Sequence, residues 1–174
     1  MLKKTSLFGT LLLATLLPTT ASANNFNYNF FEVRTALSPE SMGAEFNTYF
    51  TENSHLIARI DSRFEGDWDA AGGIGFNGPV NPFADIYGQM LIHSVRGSDD
   101  EGNKNDVMME LNIGTRVWLT NQIEGHLRVG RNEDHSIFIG GLRFHSTQQM
   151  TISAEARNAG LWGPQISMGV RFQF

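Results

Sequence analysis

The chain has 174 residues, no cysteine and a formal net charge of −5, with 13 Lys or Arg against 18 Asp or Glu. The lack of cysteine excludes a disulfide framework, thiol catalysis and cysteine-based metal sites. The acidic balance disfavours nucleic acid as a partner, because phosphate binding requires a basic face.

The first segment has the features of an export signal. Two lysines precede an apolar run over residues 7–17, and a site of small residues ends at Ala23. This order is typical of a secretory signal peptide, and it predicts Sec-type export with cleavage near Ala23. An uncleaved helical anchor is the alternative, but it needs about 20 apolar residues. We therefore predict a signal peptide at 1–23 and one mature domain at 24–174.

The mature part alternates between apolar and polar residues over ten segments that are separated by turn-forming residues. A period of two is typical of strands with one apolar face. Most segments have about 8–14 residues, which brackets the roughly 9–11 that a tilted strand needs to cross a membrane. The predicted strands are 26–37, 41–50, 55–65, 70–77, 83–95, 106–119, 122–131, 136–145, 149–158 and 164–174.

The last of these strands ends on an aromatic residue. Its apolar positions, which alternate with polar residues or glycine, are Ile166, Met168, Val170, Phe172 and Phe174. Together with the export signal, this strand resembles the C-terminal strand of bacterial outer-membrane β-barrels, which typically ends in Phe and is read by the barrel-insertion machinery. The resemblance implies that Phe174 is an assembly signal for that machinery. It also implies a location in the outer membrane of a Gram-negative bacterium, in contact with membrane lipid and lipopolysaccharide.

These features predict an all-β fold, a closed antiparallel transmembrane β-barrel of ten strands. Eight strands are the alternative, if two of the shorter segments are loops. Closure pairs every backbone group within the lipid. An even strand number puts both termini on one side, with short periplasmic turns there and longer extracellular loops on the other. The architecture is similar to that of the small OmpA-, OmpX- and NspA-type barrels.

Strand alternation predicts which side chains point into the lumen, and most of them are charged. A buried charge is tolerated when it is paired, and side chains largely fill a barrel of about eight strands. The sequence therefore predicts a lumen filled by ion pairs instead of a wide pore. His126 and His145 share the inward face with the predicted charge network, which consists of Glu32, Arg34, Glu45, Arg59, Asp61, Arg63, Asp85, Glu110, Arg116, Glu124, Arg128, Arg143, Glu155, Arg157 and Arg171.

Aromatic residues gather near the termini and the predicted periplasmic turns. Such rings favour membrane interfaces, so their bunching predicts a girdle at this end of the barrel. The general abundance of aromatic residues in strands explains their presence, but it explains their bunching at one end less well. The predicted interface aromatics are Tyr49, Phe50, Phe76, Phe83, Trp118, Phe144, Phe172 and Phe174, with Phe26 and Tyr28 beside them.

One set of residues has the chemistry of a hydrolase. His145, Ser146 and Glu155 are the residue types of a Ser–His–acid triad, as in the lipid A deacylase family. In that family the His and the Ser are separated by one residue and share a strand face. Here they are adjacent, which favours a plain polar pair at the end of a strand.

Two sites on the outside loops are weaker candidates. Asp99-Asp100 and Asp134-His135 resemble the omptin proteases in residue type and location only. The acidic loop 96–105 offers hard oxygen ligands for a cation, but it lacks the spacing of an EF-hand loop. Solvated loop charge is the simpler interpretation of both.

The predicted function is therefore an integral outer-membrane barrel of structural, surface-interaction or narrow-channel type, without a catalytic site, cofactor or metal. Two alternatives remain open. One is a barrel enzyme that acts on lipid A or peptides. The other is a soluble periplasmic binding barrel of lipocalin type, which would have apolar side chains inside and polar ones outside.

Overall fold

The computed structural model describes residues 26–64, 66–97, 104–158 and 161–174, with the backbone alone at 104 and 105. The predicted signal peptide at 1–23 lies outside these ranges. Within them the chain forms ten strands. They are β1 (Phe30–Leu37), β2 (Ser41–Thr51), β3 (Ser54–Ser62), β4 (Trp68–Asn81), β5 (Ala84–Gly97), β6 (Lys104–Trp118), β7 (Ile123–Asn132), β8 (His135–His145), β9 (Met150–Asn158) and β10 (Pro164–Gln173).

Each strand pairs antiparallel with its neighbour in sequence, and β1 also pairs with β10, so the sheet closes on itself. This seam runs from Phe30 opposite Gln173 to Leu37 opposite Ile166. The predicted closed antiparallel barrel of ten strands is confirmed, and the alternative with eight strands is wrong. Closure leaves no strand edge to pair with another chain.

The two ends of the barrel differ in their connections. At one end, named here the terminal end because it carries both termini, the strands are joined by residues 52–53, 82–83, 119–122 and 146–149. At the opposite end, the loop end, they are joined by 38–40, 63–67, 98–103, 133–134 and 159–163. The longest connection, 98–103, lies outside the described residues, and so do most of the cation ligands considered for loop 96–105.

Three strands depart from their predicted bounds by three or four residues at one end, and one of them, the predicted strand 55–65, already ends at Ser62. The predicted strand 26–37 begins only at Phe30, because residues 26–29 leave the sheet and turn into the lumen. The predicted strand 70–77 extends over Trp68–Asn81, and its pairing with β5 shifts between Pro79 and Asn81. Such an irregularity is where a sheet accepts proline, which has no N–H to donate.

The two faces of the sheet have opposite polarity. In β10, Ile166 and Met168 are 65% and 60% exposed on the outside, whereas Ser167 and Arg171 are buried inside. The other strands repeat this alternation, so a band of large apolar side chains covers the outer surface. The lipocalin-type alternative requires the reverse arrangement and is wrong. No helix that is long and apolar enough to span a membrane occurs among the described residues.

Inward-facing glycines give large lumen side chains the room to lie flat against the wall. A Cβ on Gly75 would collide with the imidazole of His55, and a Cβ on Gly114 would collide with the ring of Tyr87. Both glycines are therefore sites where a neighbouring side chain approaches the backbone closely. Within the glycine-rich segment 70–76, Gly75 thus makes room for a lumen side chain.

Candidate functional site

The lumen is the chemically distinctive region of this barrel. Of the fifteen charged residues predicted to face it, fourteen are buried inside. Arg63 is the exception, because β3 ends at Ser62 and leaves Arg63 at the loop end, where it is partly exposed and lies 3.6 Å from Asp67. The lumen also contains Asp69, which was not predicted.

A first cluster of ion pairs links four strands. Arg34 of β1 contacts Asp61 of β3 at 2.6 Å and Glu45 of β2 at 3.3 Å. Arg59 of β3 contacts Glu45 at 3.0 Å and reaches Glu110 of β6 at 3.6 Å. Because Glu110 lies on a strand that does not neighbour β3, these contacts brace the lumen from wall to wall.

A second cluster is centred on Glu124, which is fully buried. Its two carboxylate oxygens accept hydrogen bonds of 2.8 Å each from Nε and Nη2 of Arg116. Arg143 donates to the same carboxylate at 3.0 Å, and His145 lies 3.1 Å from it. Arg143 also contacts Glu155 at 3.3 Å. A carboxylate shared among this many donors is strongly held, since charge-assisted hydrogen bonds are stronger than neutral ones.

His93 joins two carboxylates that approach it from different strands. Its Nδ1 lies 2.9 Å from Asp69 of β4, and its Nε2 lies 2.8 Å from Glu110 of β6. Neither His93 nor Asp69 was predicted from the sequence to face the lumen. His93 could have been found by continuing the alternation of β5 from Asp85. Asp69 could not, because it lies one residue before the predicted start of its strand. The described residues contain no group of three or more His, Asp or Glu that could hold a metal ion.

Phe30 and Phe31, adjacent apolar residues, divide between the two faces. Phe31 is 42% exposed on the outside, whereas Phe30 is buried in the lumen. The guanidinium of Arg171 lies 3.6 Å from the centre of the Phe30 ring, and its Nε donates to Glu32 at 2.6 Å. The inward aromatic residue therefore supports a cation by a cation–π contact.

Residues 26–29 fill the terminal end of the lumen, and we name them the N-terminal plug. Phe26 stacks on Trp118 with ring centres 5.7 Å apart, and Tyr28 stacks on His55 at 4.6 Å. The Tyr28 hydroxyl donates a hydrogen bond to Asp85. Burial raises the pKa of the Tyr28 phenol above its ordinary value, so the hydroxyl keeps the proton that it donates. Both plug rings are buried, which corrects their predicted place in the interface girdle.

Arg116 connects the plug to the Glu124 cluster. Its guanidinium lies 5.0 Å from the centre of the Phe26 ring and 4.9 Å from that of Tyr28. Its Nη1 donates to the backbone carbonyl of Asn27 at 3.0 Å. One arginine therefore binds the plug through two rings and a carbonyl while it pairs with Glu124.

Tyr49 and Trp118 correct the prediction of interface aromatics. Each shares the inward face of its strand, and the Tyr49 hydroxyl donates to the backbone carbonyl of Phe26 at 3.2 Å. Both pack against the plug, because the buried rings of Phe26 and Tyr28 provide an apolar surface inside the barrel. The other six predicted interface aromatics are exposed, on the outer surface or in a turn: Phe50, Phe76, Phe83, Phe144, Phe172 and Phe174.

Little space remains in the middle of the lumen. Three cavities among the charged side chains have volumes of about 10, 20 and 10 Å³. About 10–15 Å³ on this measure holds one water molecule. A wider recess of about 510 Å³ opens at the terminal end, where Arg116, Trp118 and His145 form part of its wall.

The residues of the hydrolase candidate do not assemble into a triad. His145 bonds to Glu124 and to Thr151, the latter at 3.1 Å. Glu155 contacts Arg143 and His126 instead, and Ser146 is exposed in a turn. The charge-relay geometry that a nucleophilic serine requires is therefore not formed by these residues.

The acidic residues of the outside loops that were considered as a protease site are simple solvent-exposed charges where the structure describes them. Asp134 lies 3.9 Å from Arg131, and both side chains are largely exposed. Asp99 and Asp100 lie outside the described residues.

A closed barrel of ten antiparallel strands, with an apolar exterior and a charged interior, has the fold of the small bacterial outer-membrane β-barrels. The predicted resemblance to this class is confirmed for the fold. Neither a protein-family model nor a curated protein sequence matches the chain.

Among solved structures, the chain is similar to a KdgM porin in complex with disordered oligogalacturonate, with a TM-score of 0.55 and 9% identity over 83% of this chain and 99% of that one. A KdgM porin without that ligand gives a TM-score of 0.51 at 9% identity, over 83% and 98% of the two chains. The N-terminal β-barrel domain of Pseudomonas aeruginosa OprF gives 0.44 at 12% identity, over 86% and 100%. At these identities the likeness concerns the fold alone.

Proposed function

We propose that the protein is an integral outer-membrane β-barrel of structural type, whose lumen is closed to the diffusion of solutes. The observation that carries this proposal is the size of the cavities between the lumen ion pairs, each of which has room for about one water molecule. The N-terminal plug adds a second obstruction at the terminal end.

The outer surface supports the location. Large apolar side chains cover it, and a monomeric soluble protein rarely exposes an apolar area of this extent. Exposed phenylalanines lie near the terminal end, where aromatic rings suit a membrane interface. The predicted signal peptide at 1–23 provides the export route, with lipid and lipopolysaccharide as the surroundings and the assembly machinery as the reader of Phe174.

A narrow ion channel is the second candidate. It is favoured by the recess at the terminal end, whose wall includes Arg116, and by two neighbours in fold that are named as porins. In this case permeation would require the lumen ion pairs to rearrange, because static cavities of about 10 Å³ do not pass a hydrated ion.

Cell fractionation tests the location. We expect the full chain to be recovered in the outer-membrane fraction, to resist extraction by carbonate and to migrate differently on a detergent gel before and after boiling. Release by carbonate would contradict an integral barrel.

Planar-bilayer recording of the mature protein tests the closed lumen. We expect no conductance steps, or steps far smaller than those of a 16-stranded porin recorded in the same bilayer as the control for detection. Small, stable and regular steps would support the narrow channel instead, and large steps would refute both forms of the proposal.

A further inference from the structure

One cavity in the middle of the barrel, named here the central cavity, is lined by more arginines than carboxylates. Six arginines and three glutamates line it. The arginines are Arg34, Arg59, Arg128, Arg143, Arg157 and Arg171. The excess is local, because the buried residues of the described lumen include seven Arg against eight Asp or Glu.

Four of these arginines have carboxylate partners. The pairs are Arg34 with Asp61 and Glu45, Arg59 with Glu45 and Glu110, Arg143 with Glu124 and Glu155, and Arg171 with Glu32. Within the described part of the chain, Arg128 and Arg157 make no ion pair. Arg128 donates a long hydrogen bond of 3.4 Å to the Tyr87 hydroxyl. Two buried guanidinium groups at one cavity therefore have no carboxylate of the described residues within ion-pair distance.

Several donors at this cavity also have no acceptor. Among the described residues, Nη2 of Arg59, Nε of Arg143 and Nε of Arg157 are buried and make no hydrogen bond. All three side chains are more than nine-tenths buried, and all three line the central cavity. A buried donor that lacks an acceptor is unfavourable, and a buried unpaired cation is more so. A water molecule would satisfy a donor, but only an anion would also compensate the charge.

We propose that the central cavity binds one small monovalent inorganic anion, of the size of chloride, held by Arg59, Arg143 and Arg157. The cavity has a volume of about 10 Å³, close to what one water molecule needs, so a chloride ion enters with a small outward movement of the guanidinium groups. Sulfate, phosphate and sugar acids are too large for it. The anion replaces the missing carboxylate and completes the ion-pair network, and this site goes beyond the proposed structural function.

Crystals of the refolded mature protein grown in bromide give a direct test, because bromide replaces chloride and scatters anomalously. We expect an anomalous peak in the central cavity, within contact distance of the three guanidinium groups. Peaks confined to the protein surface would show an adventitious ion only and would overturn the proposal. The wild-type protein suffices for this measurement, so the result does not depend on whether a variant folds.

A stability comparison in detergent micelles gives a second test. We expect the unfolding midpoint of the wild-type protein to be higher in sodium chloride than in sodium gluconate of the same ionic strength, since a ligand that binds the folded state stabilises it. Arg157→Gln should abolish this difference. Arg63→Gln, which removes an arginine at the loop end away from the cavity, should retain it.

Equal midpoints in the two salts for the wild-type protein, or an equal difference in wild type and Arg157→Gln, would contradict the anion site. Neither the anomalous scattering nor the unfolding midpoint depends on where the protein is located in the cell or on whether it conducts ions. A failure here is therefore distinguishable from a failure of the proposed function.

Discussion

The hydroxyl of Tyr28 lies 2.8 Å from Oδ2 of Asp85 and donates a hydrogen bond to it. Tyr28 precedes the first strand, whereas Asp85 belongs to β5 on a distant part of the wall. The Tyr28 backbone N–H also donates to the Tyr49 hydroxyl at 3.3 Å. The N-terminal plug is therefore bonded to the barrel wall at several points, and its removal should have measurable consequences.

Replacing the Tyr28 hydroxyl should destabilise the barrel. Tyr28→Phe removes a donor to a buried carboxylate, and a loss of this kind costs about 1–3 kcal/mol of unfolding free energy. Urea unfolding in detergent micelles measures the change. Tyr49→Phe is the matched comparison, because the Tyr49 hydroxyl bonds at 3.2 and 3.3 Å to two neutral backbone groups, weaker partners than a carboxylate, and its loss should cost less. Equal losses in the two variants would contradict the role assigned to the Tyr28–Asp85 bond.

Truncating the first plug ring should expose Trp118 to water. Phe26→Ala removes the ring that stacks on Trp118, and the recess at the terminal end then reaches the indole more fully. We expect a red shift of tryptophan emission and faster quenching by acrylamide, measured with Trp68 and Trp162 replaced by Phe. Phe50→Ala, which truncates an exposed ring on the outer surface, should leave Trp118 emission unchanged. An unchanged spectrum in Phe26→Ala would argue against a plug seated on Trp118.

Neutralising Glu124 should be among the most damaging single changes to the lumen. Glu124→Gln leaves Arg116 and Arg143 buried with less negative charge, and breaking a buried ion pair costs about 3–5 kcal/mol. The folded fraction, read from heat-modifiable migration on a gel and from the urea midpoint, should fall sharply. Glu52→Gln changes the same side chain in an exposed turn and should have little effect. A Glu124→Gln protein as stable as Glu52→Gln would show that the Glu124 cluster does not brace the barrel.

Two adjacent glycines of β4 should respond differently to the same substitution. A Cβ on Gly73 would collide with the backbone carbonyl of Met90, whereas a Cβ on Gly72 would approach the carbonyl of Ile57 no closer than 3.9 Å. Overpacking of this kind typically costs about 1–3 kcal/mol. We expect Gly73→Ala to lower the urea midpoint clearly and Gly72→Ala to leave it near the wild-type value. Similar midpoints for the two variants would disprove the close approach at Gly73.

The terminal phenylalanine should matter more in the cell than in the test tube if it is an assembly signal. Phe174 stacks on Phe46 on the outer surface, with ring centres 5.9 Å apart, so Phe174→Ala should lower stability modestly. In cells, we expect a larger loss of folded protein from the outer membrane than refolding into detergent shows. Phe144→Ala, an exposed aromatic residue away from the terminus, controls for the loss of a ring. Equal losses of folded protein in cells and in detergent refolding would show that Phe174 has a packing role only.

The strand pattern predicted most of the architecture because a barrel wall obeys a local rule. Side chains of β10 alternate from Gln165 to Gln173 without interruption, and this alternation fixes both the apolar exterior and the place of Arg171 inside. The same rule placed fourteen of the charged residues in the lumen. It failed at Arg63, where the strand had already ended.

The N-terminal plug could not be predicted from the same rule. Phe26 and Tyr28 continue the alternation of β1 towards the N-terminus, so in the sequence they resemble an extension of that strand. Their position depends on partners that are distant in sequence, such as Trp118 and Asp85. The pairing of the lumen charges is non-local in the same way, since Arg59 meets Glu110 across the interior.

The seam between β1 and β10 has a consequence for biogenesis. Every other pair of neighbouring strands is also adjacent in sequence and can zip up as a hairpin, but the seam joins the first strand to the last. Contacts of such long range form late. Until β10 is available to pair, β1 therefore has an open edge, a state prone to aggregation. A factor that shields this edge would therefore be expected to reduce aggregation while the barrel folds.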